Sequence, residues 1–302
     1  MSRLLVVFGA TGQQGGSVAN YVVSDPELSK QYKVRDITRD ISKPAAQTLQ
    51  EKGVEVVKGD LDDEESIKQA LHGAHTVSAM TRTIYDEQTK AREIRQGRAI
   101  ANAAVAAGAK FSFTAPNVTQ AIYLAASIPS TLEQVIRGLP IKSAFVALGT
   151  FMQNFGGMMA PRPAGNGTHA IANIHTPETP FPWLDVVSNT GKFVGAILAE
   201  PDKYEGKSLS ASSCIYSQAE IVQIMSKVSG KTVGYNQMPE SKYRGFLPPV
   251  AADTIVNMFL YIQDWGYYGP KTKDEVDWSI KQARGQLTSF KEYLEKNPPK
   301  LE

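Results

Sequence analysis

The sequence predicts an α/β chain: a doubly wound parallel sheet with a smaller mixed lobe toward the C-terminus. Three observations carry this. An unbroken apolar run, Leu4-Leu5-Val6-Val7-Phe8, leads straight into glycines spaced G-x-x-G-x-x-G at Gly9, Gly12 and Gly15. Short apolar runs then alternate with stretches of helical spacing as far as Leu148, which implies parallel strands joined by right-handed crossovers. After Gly149 the alternation breaks, and residues 151–183 are rich in Met, Gly, Pro and Asn without sustained periodicity. Residues 1–150, with 186–213 returning to them, are therefore assigned to the sheet domain. Residues 151–185 and 214–302 are assigned to the smaller lobe.

The first element sets the rest. A short apolar run bounded by glycine reads as a buried central strand. The stretch after the glycines places Val18, Tyr21 and Val22 on one helical face. The first glycine lets the chain leave the strand in a tight turn. The second lacks a Cβ, so the backbone can approach a pyrophosphate, and the third lets helix and strand pack closely. The helix N-terminus then offers free amides and partial positive charge to phosphates. A glycine triplet between a strand and a helix predicts dinucleotide binding.

Residues 33–39 read as the second strand, with Asp36 inside it and Arg39 at its C-terminal end. An acidic residue at that end bonds a ribose 2′-hydroxyl, whereas an arginine accommodates a 2′-phosphate; Arg39 therefore predicts NADP over NAD. A helix over 43–52, closed by Gly53, leads to strand three at 54–57. Asp60 and Leu61 fall where a loop borders adenine, and Asp62 and Asp63 are expected to cap a helix over 64–72. Strand four spans 75–80, putting Thr81 and Thr83 at the ligand-binding edge. A helix over 89–107 carries Ile94, Arg98, Ala101 and Val105 turn by turn, and Gly108 ends it. Strand five is 111–114, and strand six lies within 139–148. Further helices are expected over 190–199, 218–229, 249–263 and 286–296, with a strand-like run at 208–213. The late aromatics Phe259, Tyr261, Trp265, Tyr267, Tyr268 and Trp278 read as packing, since no basic residues interleave them.

Composition narrows the function. The chain has 302 residues, 32 basic against 30 acidic, with no block of like charge, so neither direct nucleic-acid nor membrane-surface binding is expected. No apolar run approaches the roughly 18 residues of a membrane span. Cys214, the one cysteine, reads as a small apolar strand residue in a reducing compartment; a cytoplasmic location, with the nucleus as a second one, is expected. The four histidines, His72, His75, His169 and His175, lack ligand-like spacing, so no metal is expected. No G-x-S-x-G elbow supports hydrolysis. The chain is read as a monomer or dimer.

Several separate segments resemble the NmrA-like family of atypical short-chain dehydrogenases. They are Val7 through Val18, Ile37-Thr38-Arg39, Val56 through Asp63, Ile94-Arg95-Gln96-Gly97-Arg98, Pro116 through Thr119, Phe151 through Phe155, and Asp185 through Val194. The resemblance implies a Rossmann-type domain, NADP(H) as cofactor and a cleft covered by the smaller lobe. It places Gly9, Thr11, Gly12, Gln13, Gln14 and Gly15 on the pyrophosphate, Arg39 on the 2′-phosphate, and Asp60 and Leu61 beside adenine. Met80 and Thr81 fall toward the nicotinamide side, and Arg98, Asn154 and Phe155 are also placed on the cofactor. Arg98 stands where the family usually has lysine.

Two departures bear on activity. Ordinary short-chain dehydrogenases pair Tyr-x-x-x-Lys, the lysine lowering the tyrosine pKa for proton transfer. The chain is expected to lack that pair: Tyr123 is followed four residues on by Ser127, and Tyr243 by Leu247. The family's usual His-Phe-Asp-x-Lys stretch is replaced by Ala121 through Ser130, with no lysine. The reading placed first is a redox-sensing regulator, in which NADP(H) occupancy changes affinity for a regulatory protein partner. The alternative is an NADPH-dependent reductase of a small apolar carbonyl, quinone or enone, with Tyr123, His175, Thr81 and Arg98 as candidate catalytic donors. His175, in a proline-rich loop, is expected at the surface.

Overall fold

The computed structural model describes residues 2–80, 86, 88–114 and 131–301, without the side chains of residues 89, 90 and 131. Seven parallel strands form one sheet in the order β3-β2-β1-β4-β5-β6-β11. These are β1 (Arg3–Phe8), β2 (Tyr32–Thr38), β3 (Glu55–Lys58), β4 (Thr76–Ala79), β5 (Phe111–Thr114), β6 (Lys142–Leu148) and β11 (Ser208–Ala211). The order reverses at β1, whose Val7 registers with Asp36 on one side and Ser78 on the other. That reversal opens a crevice above the strands' C-terminal ends, where such sheets bind ligands.

Alternating strand residues build two cores. Leu5, Val7, Phe113, Val146 and Leu148 face helices α1 (Gln13–Ser24) and α7 (Val186–Ala199). Val6, Phe8, Val77 and Ala79 face α4 (Glu64–Ala70) and α5 (Thr89–Ala106). The first packing is unusually close. A Cβ on Gly191 would stand 2.4 Å from the Ser17 carbonyl oxygen, and one on Gly195 would stand 2.4 Å from the Tyr21 ring. The bare backbone lets the Gly191 amide donate to Ser17 Oγ at 2.9 Å.

Helix α7 begins at Val186 rather than 190. Asp185 caps it by accepting from the Ser188 amide, and Gln153 bonds both Asp185 Oδ1 (2.7 Å) and the Val186 amide (3.2 Å). The cap expectation for α4 holds for Asp63, which accepts from the Glu65 and Ser66 amides. Asp62 instead accepts from Arg95 (2.5 Å) and Gln96 (3.2 Å) on α5.

Residues 151–183, expected to lack sustained periodicity, lie in a stretch that supplies strands to two small sheets. One has the order β12-β10-β7 (Cys214–Ser217, Pro180–Leu184, Thr150–Phe151), and the other β13-β9-β8 (Val233–Gln237, Thr168–Asn173, Arg162–Gly165). An aromatic core of Phe155, Phe181, Trp183, Tyr267 and Phe290 joins them to α9 (Gln218–Ser229) and α11 (Pro249–Trp265). Helix α12 (Thr272–Ile280) was not anticipated, and the last helix, α13, covers only Phe290–Lys296. Cys214 lies in β12, where burial pushes its thiol up to about 12, as fits an inert apolar residue. Among the described residues no helix is long and apolar enough to cross a membrane, and no histidine, cysteine and carboxylate cluster could hold a metal ion.

Candidate functional site

The turn between β1 and α1 is built on main chain. Gly9 sits at φ 74°, a left-handed conformation that favours glycine, and its carbonyl accepts from the Gly12 amide at 2.9 Å. A Cβ on Gly15 would lie 2.4 Å from that same carbonyl oxygen, so helix and turn touch only because it is absent. Gly12 is the N-cap of α1. No side chain caps the helix, and its first turn holds no acid. Gln13 is an exposed residue and Gln14 a half-buried one, so the first turn offers its amides to an anion at the positive end of the helix dipole.

Asp36 underlies this turn. It is fully buried, and its Oδ1 accepts from the Ala10 amide at 2.9 Å, while Oδ2 has no partner among the described residues. Burial raises its carboxyl to about 6. Asp36 is committed to holding the loop rather than left free for a ribose.

Arg39 is exposed just past the end of β2. Thr38 registers with Lys58 on β3, and the Gly59 amide donates to the Thr38 carbonyl, so Lys58 stands beside it. Asp40 is held below the usual carboxylate range, first by hydrogen bonds from Ser42 and further by the charges of Lys43 and Lys58. Lys43 and Lys58 thus join Arg39 in a basic rim that sequence reading did not assemble. The sequence offers only a lysine directly after its third apolar run; that this end meets the end of strand two comes from the pairing of β2 with β3. Asp60 donates its amide to Ser66 Oγ and accepts from the Asp62 amide, fixing the neighbouring loop. Leu61 packs half-buried against the α4 side of the sheet.

The remaining predicted residues separate. Met80 lies half-buried past β4 against the α1-side core. Thr81 and Tyr123 lie outside the described residues. Asn154 sits in a short 3-10 turn (Met152–Gly156), its carbonyl accepting from the Gly157 and Met159 amides. Phe155, expected on the cofactor, turns its ring into the small-lobe core. The ring is 3% exposed and is taken up by Trp183 at 5.0 Å and Phe290 at 5.2 Å. Arg98 is exposed on the outer face of α5. There it lines an open groove of about 640 Å³ with Glu64, Lys68 and Asn102, rather than joining the glycine turn.

His175 also differs from expectation: it is fully buried. Its ring packs on Phe181 (4.7 Å), Phe259 (5.4 Å) and Tyr235 (5.8 Å), and burial lowers it to about 4, so it is neutral at physiological pH. One Tyr-x-x-x-Lys spacing does exist, Tyr267 before Lys271, which corrects the expectation that there is none. The two follow the end of α11 in a turn, not a helix. Tyr267 is buried, with its hydroxyl donating to the Leu148 carbonyl at 3.4 Å.

Comparison with known proteins places this geometry. Residues 1–294 match the profile of the NmrA-like family. An NmrA-like family domain-containing protein of Dictyostelium discoideum is 28% identical, with 100% of both chains covered. An NmrA-like family domain-containing oxidoreductase of a Cladobotryum species is 28% identical, covering 91% of this chain and 88% of its own. Among solved structures, triphenylmethane reductase of Citrobacter sp. complexed with NADP(H) shares 24% identity at TM-score 0.76, over 97% of this chain and 99% of that one. NmrA, a negative transcriptional regulator solved with NADP, shares 20% identity at TM-score 0.76, covering 98% and 95%. The two structures establish the likeness of fold.

Proposed function

Because this chain belongs to the NmrA-like family, we propose that it binds NADP(H) and acts as an NADPH-dependent reductase of a carbonyl, quinone or enone. The observation that carries nucleotide binding is the uncapped turn at Gly9–Gly15, which a Cβ at Gly15 would close. Gly9, Thr11, Gly12, Gln13, Gln14 and Gly15 would hold the pyrophosphate, and Arg39 with Lys43 and Lys58 would meet the 2′-phosphate. Asp60 and Leu61 would border adenine, and Met80 with Asn154 would approach the nicotinamide side. The cofactor supplies a hydride when bound. The protein's part is to orient it, exclude water and offer the substrate a fixed polar partner. Residues 1–150 with 186–213 would bind the cofactor, and 151–185 with 214–302 would receive the substrate.

The reductase stands first because full-length relatives such as the Cladobotryum protein bear the name oxidoreductase. The regulator, which the sequence alone ranks first, keeps one observation in its favour. The Tyr267-x-x-x-Lys271 spacing lies in a turn with the tyrosine buried and the lysine exposed, so proton transfer by the usual pair is not provided for. In that reading the cofactor would favour one conformation and so shift affinity for a partner protein.

Titration with NADPH and NADH, on the wild type and on Arg39→Ala and Lys58→Ala, tests the cofactor assignment. NADPH is expected to bind at least about tenfold tighter than NADH, and each substitution to weaken NADPH while leaving NADH nearly unchanged. Equal affinity for the two nucleotides in the wild type rules out the phosphate rim. A screen for NADPH consumption with quinones and aryl ketones then divides the two functions: turnover supports the reductase, and its absence with tight NADPH binding favours the regulator.

A further inference from the structure

The run Arg35-Asp36-Ile37-Thr38-Arg39-Asp40-Ile41-Ser42 states one four-residue pattern twice: arginine, aspartate, isoleucine, then a hydroxyl residue. Arginine three residues before a serine or threonine is what arginine-directed protein kinases read, through an acidic pocket that pairs with the guanidinium. The spacing occurs nowhere else in the chain. The fold treats its two copies differently. In the first, Arg35 is tied to Glu55 Oε2 at 2.9 Å and to the carbonyls of Ala70 and His72, and Thr38 is held in β2 against Lys58 of β3. In the second, residues 39–43 are all exposed, in the connection between β2 and helix α3 (Pro44–Glu51). Only the second copy leaves both its arginine and its hydroxyl open to another protein.

Ser42 also stands among the cations already described. Its hydroxyl donates to Asp40 Oδ1 at 2.6 Å, and its amide donates to the same oxygen at 3.0 Å. Asp40 in turn lies within reach of the charges of Lys43 and Lys58. A phosphoryl group on Ser42 would remove the proton given to Asp40 and add about −1.5 to −2 charge with three acceptor oxygens. The Asp40 carboxylate repels that charge, while Arg39, Lys43 and Lys58 attract it. Three cations outweigh one carboxylate, so the phosphate settles on the rim.

We propose that Ser42 is a phosphorylation site, and that its phosphate occupies the basic rim in place of the cofactor's 2′-phosphate. NADP(H) binding is then lost while NAD(H) binding is spared. In the modifying step the γ-phosphoryl of ATP passes to Ser42 Oγ. The new Oγ–P bond replaces the bond to ADP, ADP leaves, and the hydroxyl proton goes to the kinase's catalytic base. The effect on NADP(H) rests on the cofactor reading; the choice of Ser42 as acceptor does not. The exclusion works in both directions. Arg39 cannot serve the kinase pocket and a 2′-phosphate at once, so bound NADPH shields Ser42.

The full-length protein is treated with calmodulin-dependent protein kinase II, calcium–calmodulin and Mg·ATP, and the modified residue is found by mass spectrometry. Phosphate is expected on Ser42 and not on Thr38. Saturating NADPH is expected to slow the reaction at least about fivefold, and NADH at the same occupancy to slow it less than about twofold. The purified phosphoprotein is expected to bind NADPH at least about tenfold more weakly, with NADH affinity changed by less than about threefold. Ser42→Ala takes up no phosphate and keeps the nucleotide preference of the wild type. The affinities of the unmodified protein are measured first, so the two readings fail separately. Equal affinity for NADPH and NADH there removes the rim and the proposal with it. An NADPH preference that survives phosphorylation removes the proposal alone. It is also overturned by an unmodified Ser42, by phosphate placed on Thr38 instead, or by equal loss of both nucleotides, which would mean that the phosphate merely disrupts the loop.

Discussion

At the scale of single residues, the turn after β1 is decided by atoms that are missing. Gly15→Ala would push a methyl to 2.4 Å from the Gly9 carbonyl oxygen and 2.6 Å from its carbon, both backbone and unable to move aside. The expected loss is on the order of 1–3 kcal/mol of stability, read from the urea midpoint, together with at least a tenfold loss of NADPH affinity. A variant of wild-type stability and affinity would show that the turn is not held this closely. The glycine spacing made this position legible, because a triplet between strand and helix has few other physical uses. Lys43 and Lys58 were not legible in the same way. Their proximity to Arg39 arises from pairing between β2 and β3, and a single sequence carries no record of which strand ends meet. His175 was misplaced for a related reason. A proline-rich loop reads as surface, but its ring is enclosed by aromatics from residues 181, 235 and 259, contacts that local composition does not encode.

At the scale of elements, alternation alone sufficed for the parallel sheet, because strands buried on both faces announce themselves as continuous apolar runs. The small lobe follows different rules. β10 contains Pro180 and Pro182, which argue against a central strand, yet it lies between β12 and β7. The conflict resolves in the register: β7 pairs only with Trp183 and Leu184, so beside the prolines β10 is an edge. Helix α7 was read four residues short because its start depends on Asp185 and on Gln153, 32 residues earlier in the chain. Its packing gives an element-level prediction. Gly191→Ala gains up to about 1 kcal/mol of helix propensity but drives a methyl into the Ser17 carbonyl at 2.4 Å and the Tyr21 Cβ at 2.4 Å. The clash is expected to win, because moving α1 away also disturbs the glycine turn at its start. Denaturation should show a net loss of about 1–2 kcal/mol with weakened NADPH binding. A stabilised variant would mean that α1 and α7 can separate freely.

For the whole molecule, two buried groups in different cores act on stability in opposite directions over nearly the same pH range. Asp36 titrates at about 6 when folded against 3.8 when unfolded. Between those values the unfolded chain has released a proton that the folded chain still holds, so Asp36 lowers stability as pH rises from 4 to 6, by about 3 kcal/mol in all. His175 titrates at about 4 when folded against 6.5 when unfolded. Over that window the unfolded chain binds the extra proton, so His175 raises stability with pH, also by about 3 kcal/mol. The two slopes offset in the wild type, whatever background the remaining carboxylates set. Asp36→Asn keeps an oxygen for the Ala10 amide and removes the ionisation, so relative to wild type its stability should climb between pH 4 and 6. His175→Phe should do the reverse and lose stability over the same interval. Guanidinium midpoints at half-unit pH steps read the difference directly. Both variants tracking the wild-type curve would mean that neither group is as desolvated as its packing implies. The offset also bears on the cofactor turn, since the charge on Asp36 appears behind the amides meant for a pyrophosphate. NADPH binding should therefore favour the protonated carboxyl and weaken above pH 6 in the wild type, but not in Asp36→Asn.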